Sequence, residues 1–275
     1  MSIFTALILG VIQGITEFLP VSSSGHLVLF QRIFHVSEPA LLFDTMVHGG
    51  TLLAVFAVLR RDIWGILRRP IQPLTAWLVI ATLPAVVIAL LFKDAIEGFF
   101  SSGRLLGPAF LITSALLLLA ELLSRRYGGV FKGKAAMNWL DALIIGLLQG
   151  AAIVPGVSRS GSTLAGALFR NLNRDFAARF SFLLSIPAIL GALILQVKDL
   201  ADRAGPTAAA AEGGAGGIGA AALIAGTLSA ALIGFFSIRL MLKIVRERSL
   251  AGFAVYTAVL GLLVLFDQFV SHLFF

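Results

Sequence analysis

The chain has 275 residues, 59% of them hydrophobic and 13% charged, with a mean hydropathy of +0.99. A soluble domain is about a quarter charged and keeps most of its residues near its surface, so this much apolar side chain excludes a water-soluble globule and requires lipid as the solvent. The net charge of +7 sits in short clusters between apolar runs, which is loop charge that sets topology rather than a nucleic-acid-binding face, and the absence of cysteine excludes disulfides, thiolate metal sites and a cysteine nucleophile.

Crossing about 30 Å of hydrocarbon takes roughly 20 apolar residues. Residues 3–36 are apolar but broken in the middle by a Pro/Ser/Gly cluster, and each arm is too short to cross alone. The stretch from Met1 to Gly14 has neither a basic leader nor a small-residue cleavage site, so it is expected to remain part of the protein. Full spans are predicted near 41–59, 73–92 and 105–123, then a second broken stretch at 137–169, then spans near 180–197, 218–238 and 250–271.

Arg60, Arg61, Arg68 and Arg69 crowd one connection, Arg125, Arg126, Lys132 and Lys134 another, and Arg239, Lys243, Arg246 and Arg248 a third. The connections at 93–104 and 198–217 are nearly neutral, the second being a Gly/Ala run. The positive-inside rule makes the three basic connections cytoplasmic and the neutral ones external. Tracing the chain, residues 1–40 then begin and end outside, and 137–169 begin and end inside. Both broken hairpins are re-entrant from opposite faces, and non-helical backbone at that depth is tolerated only where it is buried in protein or lines a polar cavity.

The two hairpins are copies. Gly10-Val-Ile-Gln13-Gly14 matches Gly146-Leu-Leu-Gln149-Gly150 at an offset of 146 − 10 = 136, and Val21-Ser22-Ser23-Ser24-Gly25 matches Val157-Ser158-Arg159-Ser160-Gly161 at the same offset. One hairpin plus three spans per half is an odd number of crossings, which inverts the second half. The expectation is an all-α polytopic membrane protein with about six full transmembrane helices and two re-entrant helical hairpins in an inverted-topology repeat. It forms one membrane domain over 1–275, with halves 1–124 and 137–275 joined by a basic cytoplasmic loop at 125–136.

The first hairpin carries Gln13 and Glu17 at i,i+4, on one helix face. A carboxylate at membrane depth costs roughly 2.5–3.5 kcal/mol, which an idle Glu17 would not repay; its structural alternatives are a counter-ion for Arg159 or a helix cap. Pro20 stops the entering helix, and Ser22, Ser23 and Ser24 are natural caps for the one that leaves. Such a helix start offers free N–H groups to phosphate. Ser23 and His26, at i,i+3, are placed to face each other as a hydroxyl beside an imidazole.

The second hairpin reads Pro155-Gly156-Val157-Ser158-Arg159-Ser160-Gly161-Ser162-Thr163, with Arg159 standing where the first has Ser23. A planar guanidinium suits a phosphate bidentately. Convergence of these groups implies an anionic substrate, most simply a lipid phosphate ester or diphosphate. His48 either lines the cavity or only packs. No zinc-like spacing occurs, whereas a hard cation, Mg²⁺ or Ca²⁺, held by Glu17 and the substrate's phosphates fits the ligand types.

These motifs resemble those of the undecaprenyl-diphosphatase family, also called bacitracin-resistance proteins. The family's Glu/Gln-Gly-x-Thr-Glu-Phe-Leu-Pro-Val-Ser-Ser-x-Gly-His signature is matched from Gln13 to His26, and its Pro-Gly-x-Ser-Arg-Ser-Gly-x-Thr signature from Pro155 to Thr163. Some members carry a second glutamate at the position of Gln13. The resemblance implies hydrolysis of undecaprenyl diphosphate to the monophosphate and phosphate in the bacterial cytoplasmic (inner) membrane, recycling the lipid carrier of the cell wall and conferring bacitracin resistance. The site is expected to face the outer side.

The catalytic residues carried over are Glu17, Ser23, His26 and Arg159, with Gln13, Ser22, Ser24, Ser158, Ser160 and Thr163 as phosphate contacts. No organic cofactor or nucleic-acid partner is expected; the partners are the polyprenyl diphosphate and the bilayer. The nucleophile is Ser23, His26 or a water activated by Glu17. A transporter or lipid flippase shares the inverted repeat and is the rival reading, separated from the first by whether phosphate is released.

Overall fold

The computed structural model describes residues 1–36, 41–126, 131–203 and 218–275. Most of the Gly/Ala connection at 198–217, the tip of the basic loop at 127–130 and the end of the first segment at 37–40 lie outside the described residues. The described residues form α1 (Ile3–Thr16), α2 (Ser23–Ile33), α3 (Leu41–Val58), α4 (Arg60–Arg68), α5 (Pro73–Leu91), α6 (Lys93–Ser102) and α7 (Leu106–Arg126) in the first half. The second half contains α8 (Trp139–Ala151), α9 (Arg159–Phe169), α10 (Arg174–Arg203), α11 (Ala220–Glu247) and α12 (Ala251–Phe266). Five helices, α5, α7, α10, α11 and α12, are each long and apolar enough to cross a membrane, and α3 with α4 makes a sixth apolar run bent by 77°. The protein is an all-α polytopic membrane protein.

The re-entrant arms are short for stated reasons. α1 ends at Thr16, before Pro20, and α8 ends at Ala151, before Pro155. The returning helices start from matching caps: Ser22 Oγ accepts from Gly25 N–H at 3.3 Å, and Ser158 Oγ from Gly161 N–H at 3.0 Å. Shifting α2 (Ser23–Ile33) by 136 gives 159–169, the bounds of α9. The caps differ in one respect. Ser22 sits at φ 71°, a conformation costly for a residue with a side chain, whereas Ser158 is extended.

Close helix contacts reveal the symmetry. α1 packs along α11 and α8 along α5, so each half's entering arm lies against the other half's second full span. A Cβ on Gly10 would run into the backbone of Gly226, and one on Gly146 into that of Ala81; four residues on, Gly14 faces Ile233 and Gly150 faces Ile88. The partners are related by 226 − 81 = 145 and 233 − 88 = 145. The equivalent helices α7 and α12 pair with each other: Gly107 abuts Leu265 and Gly261 abuts Leu111, so 261 − 107 = 154 and 265 − 111 = 154. Rising number on one partner meets falling number on the other, which makes α7 and α12 antiparallel. Equivalent helices of the two halves therefore run in opposite directions, the geometry of an inverted repeat. Small residues at these crossings let backbones touch where lipid offers no hydrophobic drive.

Two connections expected to be loops are helical. Residues 93–104 contain α6, closed by Gly103 at φ 64°, and the basic connection after α3 contains α4. α10 starts at Arg174, earlier than the span expected from 180, because Asn173 Oδ1 accepts from Asp175 N–H at 3.0 Å and Phe176 N–H at 3.4 Å. The basic connections gather at one end of the molecule, tied by Arg174 to Glu121 (2.8 Å), Arg246 to Asp175 (2.6 Å) and Arg179 to Asp62 (3.1 Å). That grouping puts the three basic connections on one face of the molecule.

Candidate active site

The two hairpin tips meet. A Cβ on Gly25 would lie 2.9 Å from Gly156 Cα, and one on Gly161 would lie 3.3 Å from Pro20 Cβ. Since 20 + 136 = 156 and 25 + 136 = 161, these are the same contact seen from each half. Ser160 Oγ donates to the Leu19 carbonyl at 3.0 Å and fastens the tips together. Thr113 of α7 braces the second tip, accepting from Ser158 N–H at 3.0 Å, with its oxygen 3.1 Å from the Gly156 carbonyl.

Glu17 is the hub of the junction. It is 4% exposed, at the end of α1. Its Oε2 accepts from Ser23 Oγ at 2.5 Å and from Gln13 Nε2 at 2.9 Å, and lies 3.6 Å from His48 Nε2. Arg159 Nη2 donates to its Oε1, and Arg159 Nη1 reaches the Ser185 carbonyl at 3.4 Å. The carboxylate is thus paired across the two hairpins, which offsets the desolvation that makes an unpaired buried charge costly. Ser23 and the Arg159 guanidinium are only part-buried and remain open to a ligand.

His26 stands apart from this group, and the expected Ser23–His26 pairing is not what the geometry contains. Nδ1–H of His26 donates to the Ser22 carbonyl at 2.7 Å, leaving Nε2 to accept from the Tyr256 hydroxyl at 2.7 Å. Its ring stacks on Tyr256 with centroids 5.7 Å apart and meets the edge of Phe110 at 5.5 Å. An i,i+3 relation brings two side chains near each other but does not decide where they point, and α7 and α12 capture this ring. Ser23 is engaged by Glu17 instead.

Of the remaining expected contacts, Ser22 and Ser158 serve as caps, with Ser24 Oγ 3.4 Å from Ser22 Oγ and Ser160 Oγ 3.2 Å from Ser158 Oγ. Thr163 shares a hydrogen bond of 2.6 Å with Ser181. Tyr256 escaped the sequence reading altogether. A tyrosine within an apolar helix is the only signal there, its hydroxyl needing a partner in lipid. His48 is drawn in because its Nδ1–H donates to the Asp44 carbonyl at 2.6 Å, aiming Nε2 at Glu17.

The donor set bears on the metal expectation. Gln13 Oε1 is buried with no hydrogen-bond partner among the described residues, beside a carboxylate and a hydroxyl, and these are hard oxygen donors suited to Mg²⁺ or Ca²⁺. Among the described residues no three His, Asp or Glu side chains assemble into a cage, so the protein alone offers a partial shell that substrate oxygens would have to complete.

Residues 6–263 match the family described as bacitracin resistance protein BacA. The chain belongs to that family. It is 45% identical over 268 residues to the undecaprenyl-diphosphatase of Carboxydothermus hydrogenoformans, covering 98% of both chains. It is 44% identical over 264 residues to undecaprenyl-diphosphatase 4 of Bacillus thuringiensis subsp. konkukian, covering 96% of both. The undecaprenyl-diphosphatase of Methanosphaera stadtmanae is 39% identical over 285 residues, covering 96% of this chain and 97% of that one. Both hairpin tips fall inside the residues matched to the BacA family, so the junction of Glu17, Ser23 and Arg159 lies within the matched region.

Proposed function

We propose that this member of the family hydrolyses undecaprenyl diphosphate to undecaprenyl phosphate and inorganic phosphate, recycling the cell-wall lipid carrier and conferring bacitracin resistance. The observation that carries the catalytic reading is the convergence of Ser23, Glu17 and Arg159 from two hairpins, with Ser23 Oγ donating to Glu17 at 2.5 Å. Arg159 and the free N–H groups at the starts of α2 and α9 hold the diphosphate and stabilise charge on the transferring phosphoryl group. Glu17 takes the hydroxyl proton as Ser23 Oγ bonds to the terminal phosphorus, and the bond to the bridging oxygen breaks to release undecaprenyl phosphate. Glu17 passes that proton to the departing bridging oxygen. Water then attacks the phosphoserine, the ionised Glu17 accepts the water's proton and returns it to Ser23 Oγ as the serine–phosphorus bond breaks, and phosphate leaves.

His26 holds α2 in place through Ser22 and Tyr256 in this scheme; direct attack by His26 or by a water on Glu17 are the variants it competes with. A divalent cation would be held by Glu17, Gln13 and the substrate's phosphates, and would supply positive charge to the diphosphate. The site works from the outer side of the bacterial cytoplasmic membrane, because the first hairpin enters from the face opposite the basic connections.

The decisive experiment is phosphate release from undecaprenyl diphosphate by purified protein in detergent, with Arg159→Ala and His26→Ala beside it. Release by the wild type and its loss in Arg159→Ala support the reading. Lipid movement across vesicles without phosphate release would replace it with a flippase. For sidedness, a Ser24→Cys protein labelled by an impermeant thiol reagent only from the cytoplasmic side would reverse the assignment.

A further inference from the structure

α4 departs from α3 at 77°, so it runs across the end of the bundle instead of through the bilayer. Arg60, where it begins, is 60 − 48 = 12 residues beyond His48 on the preceding helix, or about 18 Å along the helix axis. The surface there is separate from the junction of hairpins. Ile63 and Ile66 pack on the core, and Asp62 accepts from Arg179 of α10 at 3.1 Å, which pins the helix down. The other face is apolar yet uncovered: Trp64 is 55% exposed, Leu67 64%, and Ile71 just beyond the helix 100%.

Beside that apolar face is a cleft of about 400 Å³ bounded by α4, the start of α5 and Lys134. Arg61, Arg68, Arg69 and Lys134 line it, and its one acid, Asp62, is already engaged by Arg179. None of the four cations has an ion-pair partner among the described residues. The Arg68 guanidinium lies 5.0 Å over the Trp64 ring, at the border between apolar and charged surface. Four uncompensated like charges around one cleft repel one another unless an anion joins them. Exposed Trp and Leu beside Arg on an amphipathic helix suit the headgroup boundary of a bilayer.

We propose that this cleft binds the headgroup phosphate of an anionic phospholipid in the adjoining leaflet, whose acyl chains lie against Trp64, Leu67 and Ile71. The apolar rim selects a lipid over a soluble anion, because a free phosphate would leave those three side chains in water. Each surface cation contributes about a fivefold increase in affinity for an anionic lipid, so removing three lowers it roughly 100-fold.

The experiment uses full-length protein in detergent, titrated with dioleoyl phosphatidylglycerol or dioleoyl phosphatidylcholine and read by native mass spectrometry. Its comparison is an R68Q/R69Q/K134Q variant that keeps Arg60 and Arg61 as topology determinants. The expected result is strong retention of phosphatidylglycerol over phosphatidylcholine by the wild type, its collapse in the variant, and phosphate release unchanged in both, which shows that the variant is folded. Equal retention of the two lipids by the wild type, or an undiminished preference in the variant, overturns the proposal. Displacement of the lipid by millimolar inorganic phosphate would overturn it in favour of a soluble anion.

Discussion

Replacing Gly25 with alanine probes whether chemistry depends on contact between the hairpin tips. The added Cβ would lie 2.7 Å from Phe110 Cζ, 2.9 Å from Gly156 Cα and 3.0 Å from Phe110 Cε1. Carbon atoms rest at about 3.5–4.0 Å, so the tips have to part by roughly 0.6 Å or more. Phe110 is fully buried and cannot swing into lipid to make room. Overpacking of this kind costs about 1–3 kcal/mol, but Gly25 lies within α2, where alanine returns about 1 kcal/mol of helix propensity. The protein therefore stays folded. The reacting groups do not stay aligned, because Ser23 and Glu17 ride on one tip and Arg159 on the other, and a displacement approaching 1 Å costs on the order of 100-fold in rate. Turnover measured by phosphate release should fall by about that factor, with circular dichroism reporting unchanged helicity. A folded Gly25→Ala enzyme within threefold of wild-type turnover would refute the claim that the tips must touch.

Ser23→Ala should lower phosphate release by roughly 1,000-fold or more, about 4 kcal/mol on the barrier, and abolish any radiolabelled phosphoprotein trapped by acid quench; near-normal turnover would leave water or His26 as the nucleophile. Arg159→Lys retains charge but loses the planar fork, and a kcat reduced by about 100-fold is expected in steady-state assays. Tyr256→Phe keeps the ring stacked on His26 but leaves Nε2 without its donor; the expected cost is about 1 kcal/mol in thermal unfolding, with turnover down several-fold. Gly252→Ala, where a Cβ would meet nothing within 4 Å, should raise the melting temperature with activity intact.

Much of this architecture is readable from residue order because the repeat is written in the most constrained positions. A Cβ on Gly25 would press on Phe110 and the Gly156 backbone, and one on Gly161 on its own cap Ser158 and on Pro20 of the other hairpin, so both copies keep glycine and the offset of 136 survives. The later offsets of 145 and 154 emerge only from packing, since the helices concerned are apolar nearly throughout and many residues satisfy a lipid-facing position equally. α4 was missed because four arginines within 60–69 look like a loop until Ile63 and Ile66 find the core. The orientation of His26 was beyond reach for another reason. Besides the local Ser22 carbonyl, the ring is held by Phe110 of α7 and Tyr256 of α12, the latter 256 − 26 = 230 residues away, and no local spacing rule carries that information.

The exchange of arms between halves also sets an order of events during synthesis. α1 ends at Thr16 and its packing partner α11 begins at Ala220, so 220 − 16 = 204 residues must be added first, roughly 10–40 s at ordinary ribosomal rates. The second hairpin has no such delay, because α5 precedes α8 in the chain. Two halves that are equivalent in space are thus unequal in time, and Glu17 waits for its counter-ion until Arg159 has been made. Nascent chains stalled before Ala220 should leave a cysteine at position 24 reactive to an impermeant thiol reagent, and longer ones should close it. The first hairpin to leave the ribosome is the last to be seated.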